Sequence, residues 1–93
     1  MVNPKMKFKK ICIFSSLKAR KIEYISQQLE EILHNLGVEI LIPNSFKDYK
    51  STFGKHFSER TILKESDLII AIGGDGTLLS SARKFGYYGI PVL

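Results

Sequence analysis

The chain has 93 residues, 44% of them hydrophobic and 25% charged, the size and composition of one small soluble globular domain or part of one. No apolar run approaches the roughly 20 residues that span a bilayer, and the lysines near the N-terminus are not followed by an apolar core long enough for a signal peptide. A net charge of +5 favours anionic ligands, nucleotide and nucleic acid alike, and the single cysteine excludes an internal disulfide and suits a reducing cytoplasm.

After a short tail over Met1–Met6, Phe8–Phe14 reads as a first strand, with Ile11-Cys12-Ile13-Phe14 as the continuous apolar run of a strand covered on both faces. Cys12, inside that run, reads as a buried small hydrophobe rather than a nucleophile. Ser15 and Ser16 are suited to leaving a strand and capping a helix. From about Lys18 to Leu36 the pattern turns helical: Ile22, Ile25, Leu29, Ile32, Leu33 and Leu36 recur at steps of three and four and draw one apolar stripe. Gly37 stops the helix at C′, and Val38–Ile42 forms a second strand closed by Pro43. Strand, helix and strand in this compass make a βαβ unit, hence a parallel pair with a right-handed crossover.

Asn44–His56 repeats at neither period and reads as a long, partly mobile loop, with Phe46, Tyr49 and Phe53 tacking it onto the domain. Basic and aromatic residues interleave here as in single-strand nucleic-acid binders, but too few to outweigh that simpler reading. His34 and His56 have no second ligand at metal spacing and read as surface residues. Phe57–Glu65 is a short helix with Ile62 and Leu63 inward, broken at Ser66-Asp67. Leu68–Ile72, the most apolar strand, is expected at the centre of the sheet.

The chemistry gathers in the next turn, Gly73-Gly74-Asp75-Gly76-Thr77. Glycines here free the backbone for positive φ and close ligand approach. A strand feeding such a turn, with a helix behind it, directs free N–H groups and the positive helix end at an anion, most often phosphate. Asp75 does not belong in a purely binding loop, because a carboxylate repels phosphate. It points to chemistry: accepting a proton from an attacking hydroxyl, or holding a divalent cation against the phosphates. A Walker loop is excluded because no lysine sits correctly, and the dinucleotide fingerprint fails at its third glycine, where Leu79 stands. The simpler alternative, a glycine turn with Asp75 as helix cap, accounts poorly for the glycine cluster. Thr77–Phe85 is the following helix, with Leu78, Leu79, Ala82 and Phe85 buried; Gly86 closes it, Tyr87-Tyr88-Gly89 turns, and Ile90–Leu93 opens a fourth strand. Lys18, Arg20 and Lys21 follow the first strand at the edge where ligands gather in parallel sheets. They either neutralise phosphate charge or form a solvated helix turn.

Gly-Gly-Asp-Gly-Thr resembles the signature of the NAD kinase, diacylglycerol kinase and phosphofructokinase group of phosphotransferases. With Ser66-Asp67-Leu68-Ile69-Ile70-Ala71-Ile72 before it and Ile90-Pro91-Val92-Leu93 after it, the order of elements is similar to that of NAD kinases over nearly the whole chain. The resemblance implies a three-layer α/β fold with a mostly parallel sheet, and transfer of the γ-phosphoryl of ATP (or polyphosphate) to the 2′-hydroxyl of the adenosine ribose of NAD, giving NADP. It makes Asp75 the proton acceptor and has Gly73, Gly74, Gly76 and Thr77 line the nucleotide site. It further implies a divalent cation, Mg²⁺ foremost, a cytoplasmic homo-oligomer (dimer or tetramer), and no nucleic-acid or membrane partner.

Many members of that family carry Arg or Lys five positions after the aspartate, where this chain has Ser80; Arg83 is the nearest substitute. The family's downstream Asn-acidic motif and β-rich C-terminal domain find no counterpart by Leu93. Residues 1–93 are therefore expected to be a truncated N-terminal nucleotide-binding domain, inactive alone. A lipid kinase of the diacylglycerol or sphingosine type is the competing enzyme, but its Asn-Pro and Ser-Gly after the first strand are missing: Asn3-Pro4-Lys5 precedes that strand, and Leu79-Ser80-Ser81 follows the loop. A phosphofructokinase would need a glycine in Ser15-Ser16-Leu17-Lys18. A non-catalytic nucleotide-binding module would gain affinity by losing Asp75, whose presence speaks against it.

Overall fold

The computed structural model describes residues 8–15, 20–46, 48–73, 83, 85–86 and 89–93. Within them, four parallel strands pair in the order β3-β2-β1-β4, formed by β1 (Lys10–Phe14), β2 (Glu39–Pro43), β3 (Lys55–Phe57) and β4 (Leu68–Ala71), with helices α1 (Arg20–Asn35) and α2 (Glu59–Glu65) between them. The registers are Ile11 with Ile40, Phe14 with Ala71, and Ile42 with His56. This is the expected α/β architecture.

Strand alternation divides the core. Ile11, Ile13, Ile40 and Ile42 face α1 together with Ile22 and Leu33, while Cys12, Leu41 and Ile69 face α2 with Ile62, Phe85 and Ile90. Cys12 is fully buried, as a small apolar side chain would be. Each such burial contributes on the order of 1.5–3 kcal/mol for a full aliphatic side chain, so the two faces of β1 together anchor the fold.

Turn chemistry closes the elements. At the end of α1, Gly37 adopts φ 78° and Val38 N donates to the Leu33 carbonyl at 3.0 Å, a Schellman arrangement that only a residue without Cβ adopts cheaply. Ser58 caps α2, its hydroxyl accepting from Thr61 N. At the amino edge, one Asp67 carboxylate oxygen accepts from both Lys9 N and Lys10 N at 2.9 Å. Lys10 Nζ meets Glu65 at 3.0 Å, which raises the lysine's pKa.

Several expectations change. The first strand begins at Lys10 rather than Phe8, and β2 starts at Glu39 and ends on Pro43, which is its last residue. The most apolar strand is not the centre: β1 is, flanked by β2 and β4. β4 lies between β1 and residues 91–93, where Val92 bridges Ile69 in parallel, with Leu93 N on Ile69 O at 2.8 Å and Ala71 N on Leu93 O at 3.0 Å. That pairing agrees with the expected further strand. The stretch taken for a long mobile loop includes the first two residues of β3, and Tyr49 and residues 51–54 before it are held by a buried carboxylate. The inward row of α1 is Ile22, Ser26, Glu30 and Leu33, whereas Ile25, Ile32 and Leu36 are exposed.

That carboxylate is Glu30. Its Oε1 accepts from Ser51 Oγ (2.6 Å) and from the backbone N–H groups of Thr52 (3.1 Å), Phe53 (2.8 Å) and Gly54 (3.1 Å), and its Oε2 accepts from the Tyr49 hydroxyl. Burial alone would raise the Glu30 pKa, but the bonds from Ser51, Tyr49 and the Phe53 and Gly54 N–H groups outweigh it and hold the pKa below the usual range. Stacked on Tyr49 is Phe46 (centroids 4.5 Å), and Phe53 stacks on His34 (3.9 Å). The aromatics do tack this segment down, as its sequence suggested.

Candidate nucleotide site at the carboxyl edge of the sheet

The chain leaves β1 toward α1 and β2 on one side, while β4 lies on the other. The strand order therefore reverses between β1 and β4, and in open parallel sheets ligands bind in the crevice outside the carboxyl ends at such a reversal. The last rungs there are Phe14 opposite Ala71, then Ile72 N donating to the Phe14 carbonyl at 2.8 Å. Immediately beyond, Gly73 is exposed and takes φ 143°, a conformation that residues with a Cβ rarely adopt. Ser15, the residue after β1, is buried. Gly73 is thus placed at the crevice by β4.

Of the residues expected at the site, the described part of the chain contains Gly73. Gly74, Asp75, Gly76 and Thr77 lie outside the described residues, as do Lys18, Ser80 and the positions expected to be buried in the following helix, Leu78, Leu79 and Ala82. Arg20 and Lys21 open α1 and are exposed at the same edge, and Arg83 is exposed. Phe85 is buried as expected, its ring edge-on to Phe14 (centroids 6.1 Å, 70°). It packs against the end of β1.

A second feature of the edge was not anticipated. A cavity of about 280 Å³ opens among Pro43, Asn44 and Ser45 after β2, Ser58 and Glu59 at the start of α2, and Ile62 with Phe85 at its apolar wall. Its polar lining comes from the residues that follow β2 and β3, which is where a parallel sheet places ligand groups. The run Pro43-Asn44-Ser45 could have signalled it: two small polar side chains directly after a strand. Reading β3 as loop concealed the second half of the wall.

The edge can therefore bind a phosphorylated ligand beside Gly73, with exposed cations nearby and a small polar cavity further along the sheet. His34 and His56 are committed elsewhere: His34 stacks on Phe53, and the His56 Nε2–H donates to the Tyr49 carbonyl at 2.8 Å.

Comparison with known proteins gives a consistent result. Residues 2–93 match the model of the ATP-NAD kinase N-terminal domain. The NAD kinase of Cytophaga hutchinsonii is 37% identical over 83 residues, covering 82% of this chain and 28% of that protein. The NAD kinase of Sulfurimonas denitrificans is 36% identical over 67 residues (72% and 23%), and that of Geobacter sp. 31% identical over 87 residues (91% and 30%). The chain thus spans between about a quarter and a third of the length of these curated relatives.

Proposed function

The chain belongs to the NAD kinase family, and we propose that it supplies the nucleotide-binding N-terminal domain of an enzyme that phosphorylates NAD. The observation that carries this reading is the delivery of Gly73 to the β1/β4 reversal, because it opens the segment Gly73-Gly74-Asp75-Gly76-Thr77 where a phosphate chain would lie. In the reaction, the 2′-hydroxyl oxygen of the adenosine ribose attacks the γ-phosphorus of ATP. The bond from that phosphorus to the β–γ bridging oxygen breaks, and ADP leaves with the bond's electrons. Asp75 accepts the hydroxyl proton as the new P–O bond forms. Backbone N–H groups of Gly73, Gly74, Gly76 and Thr77 hold the phosphates.

The described residues hold no group of three His, Cys, Asp or Glu side chains at ligand distance. We assign a divalent cation, Mg²⁺ foremost, to the nucleotide's own phosphates. When bound, that cation supplies neutralisation of the charge developing on the phosphoryl oxygens. The nucleotides are the small-molecule partners, the assembly is a homo-oligomer, and the compartment is the cytoplasm, which suits a single buried thiol.

The test is an assay of a chain extended with the C-terminal domain, using ATP, Mg²⁺ and NAD and reading NADP through an NADP-specific dehydrogenase. Activity should be lost in Asp75→Asn by at least about 10²-fold, with NAD binding retained by calorimetry. A folded parent that makes no NADP would overturn the proposal, and phosphorylation of diacylglycerol or sphingosine by that parent would replace it with the lipid-kinase reading.

A further inference from the structure

Both polar walls of the cavity at the carboxyl edge trace back to one buried carboxylate. The first wall is the turn after β2, where Phe46 N donates to the Pro43 carbonyl at 2.9 Å and Asn44 and Ser45 are exposed at the rim. Phe46 is buried and stacked on Tyr49 (centroids 4.5 Å, 5° between planes), and the Tyr49 hydroxyl donates to Glu30. Directly before Tyr49, Asp48 takes φ 61°, a conformation uncommon for a residue with a Cβ, which persists where the surroundings hold it. The second wall is Ser58 and Glu59, just after β3. Glu30 reaches it through the N–H of Gly54, the residue before that strand, at 3.1 Å. The walls meet where Asn44 N donates to the Phe57 carbonyl at 2.9 Å. The described residues between β2 and β3 form no helix or strand, so bonds to this side chain supply what a backbone ladder gives elsewhere.

The chemistry of the described lining selects one part of a ligand. It contains no cation, and the Glu59 carboxylate disfavours phosphate. Asn44 offers both a donor and an acceptor and Ser45 a hydroxyl, facing an apolar wall of Ile62 and Phe85. A few neutral polar groups against an apolar wall suit a sugar and a ring. The volume of about 280 Å³ lies at the small end of ligand pockets, roughly 300 Å³, which fits that part of a nucleotide rather than the whole. Because β2 and β4 flank β1, the cavity and Gly73 stand about two strand spacings apart, roughly 10 Å. A short phosphate chain bridges that span.

We propose that Glu30 is a positioning residue for nucleotide binding: it holds both polar walls of this cavity in place to receive the nucleoside end of a nucleotide whose phosphates lie beside Gly73. The inference rests on the reading of the Gly73 edge as a phosphate site. It adds to that reading a side chain on α1 that touches no part of the ligand and acts through Tyr49 and Gly54.

The test follows the amide resonances of the ¹⁵N-labelled chain during titration with adenosine, inorganic tripolyphosphate, ATP and NAD. Adenosine should shift Asn44, Ser45, Ser58 and Glu59, and tripolyphosphate should shift Gly73; whichever of ATP and NAD shifts both sets is the occupant. Glu30→Gln, and the milder Tyr49→Phe, which keeps the ring stack, should each weaken adenosine binding about three- to tenfold and leave tripolyphosphate binding unchanged. Asp67→Ala, which removes the contacts to Lys9 N and Lys10 N at the opposite edge of the sheet, should alter neither affinity whatever it costs in stability. Equal weakening of adenosine and tripolyphosphate, or the same weakening in Asp67→Ala, would reduce Glu30 to a purely structural role and overturn the proposal. Adenosine that shifts nothing, or shifts residues elsewhere, overturns it as well. A parent shifted by adenosine in this way but not by tripolyphosphate supports the role of Glu30 and overturns the phosphate reading of the Gly73 edge, so the two fail separately.

Discussion

Glu30 is the residue whose environment most shapes this domain. A buried carboxylate is costly unless its oxygens are fully engaged. Here five donors converge on it, three of them consecutive backbone N–H groups. Glu30→Ala should destabilise the fold by about 3–5 kcal/mol, the range for breaking a buried charged network from one side. Glu30→Gln should cost about 2 kcal/mol, since the amide turns one acceptor into a donor facing donors. Urea unfolding monitored by circular dichroism measures both. The pH dependence follows from the direction of the shift. With the folded pKa below the unfolded value near 4.5, the unfolded chain binds the extra proton first. The contribution of Glu30 is therefore complete above that value and is lost as pH falls through the folded pKa. Wild-type stability should decline below about pH 4.5 more steeply than that of Glu30→Gln; parallel curves would refute this role for the carboxylate.

At the scale of elements, β3 is an edge strand of three residues whose existence depends on the segment before it. Its partner is β2, and Glu30 fixes the approach by gripping Gly54, the residue directly before the strand. Gly54 N also donates to Ser51 Oγ at 2.8 Å, and a Cβ there would come within 2.8 Å of Ile40 Cγ2 and Ser51 Oγ and 3.1 Å of the Ile40 carbonyl. The backbone needs the missing side chain for close approach to β2. Gly54→Ala should cost about 1–3 kcal/mol, as overpacking does, and should raise amide exchange in residues 55–57 before the rest of the sheet. The absence of a local effect would mean that β3 forms without this contact. Its shortness and its lysine also suit an exposed edge, since both discourage pairing with other chains.

Across the molecule, β1 joins two cores that would otherwise be separate. Its alternate residues serve the α1 face and the α2 face, and its end carries both the Phe85 contact and the rung to Ile72 that precedes Gly73. Truncating Phe85 therefore acts on stability and site together. Phe85→Ala should cost about 3–5 kcal/mol and, in a chain extended with the C-terminal domain, weaken nucleotide binding at temperatures where the fold persists. A stability loss without any change in nucleotide affinity would separate the Phe85 contact from the site.

Much of this was legible in the chain itself, and the reason is range. The βαβ order, the Gly37 stop and the burial of Cys12 rest on periodicities and spacings within a few residues, and such local patterns survive whatever the rest of the chain does. The glycine–aspartate motif carried the family for the same reason. Strand order, the role of Glu30 and the inward row of α1 were decided only by tertiary structure. Glu30 reads as one more polar helix residue until partners 19 to 24 positions away close on it. Ile25 and Ile32 read as core because they are apolar at helical spacing, yet the inward row includes Ser26 and Glu30 instead. β4 looked central because it is the most apolar strand, but centrality is set by which strands pair, and β1 stands in the middle, with β2 and β3 on one side and β4 and residues 91–93 on the other. Sequence patterns state what a residue prefers; which face, partner and edge it receives is a property of contacts between distant parts of the chain.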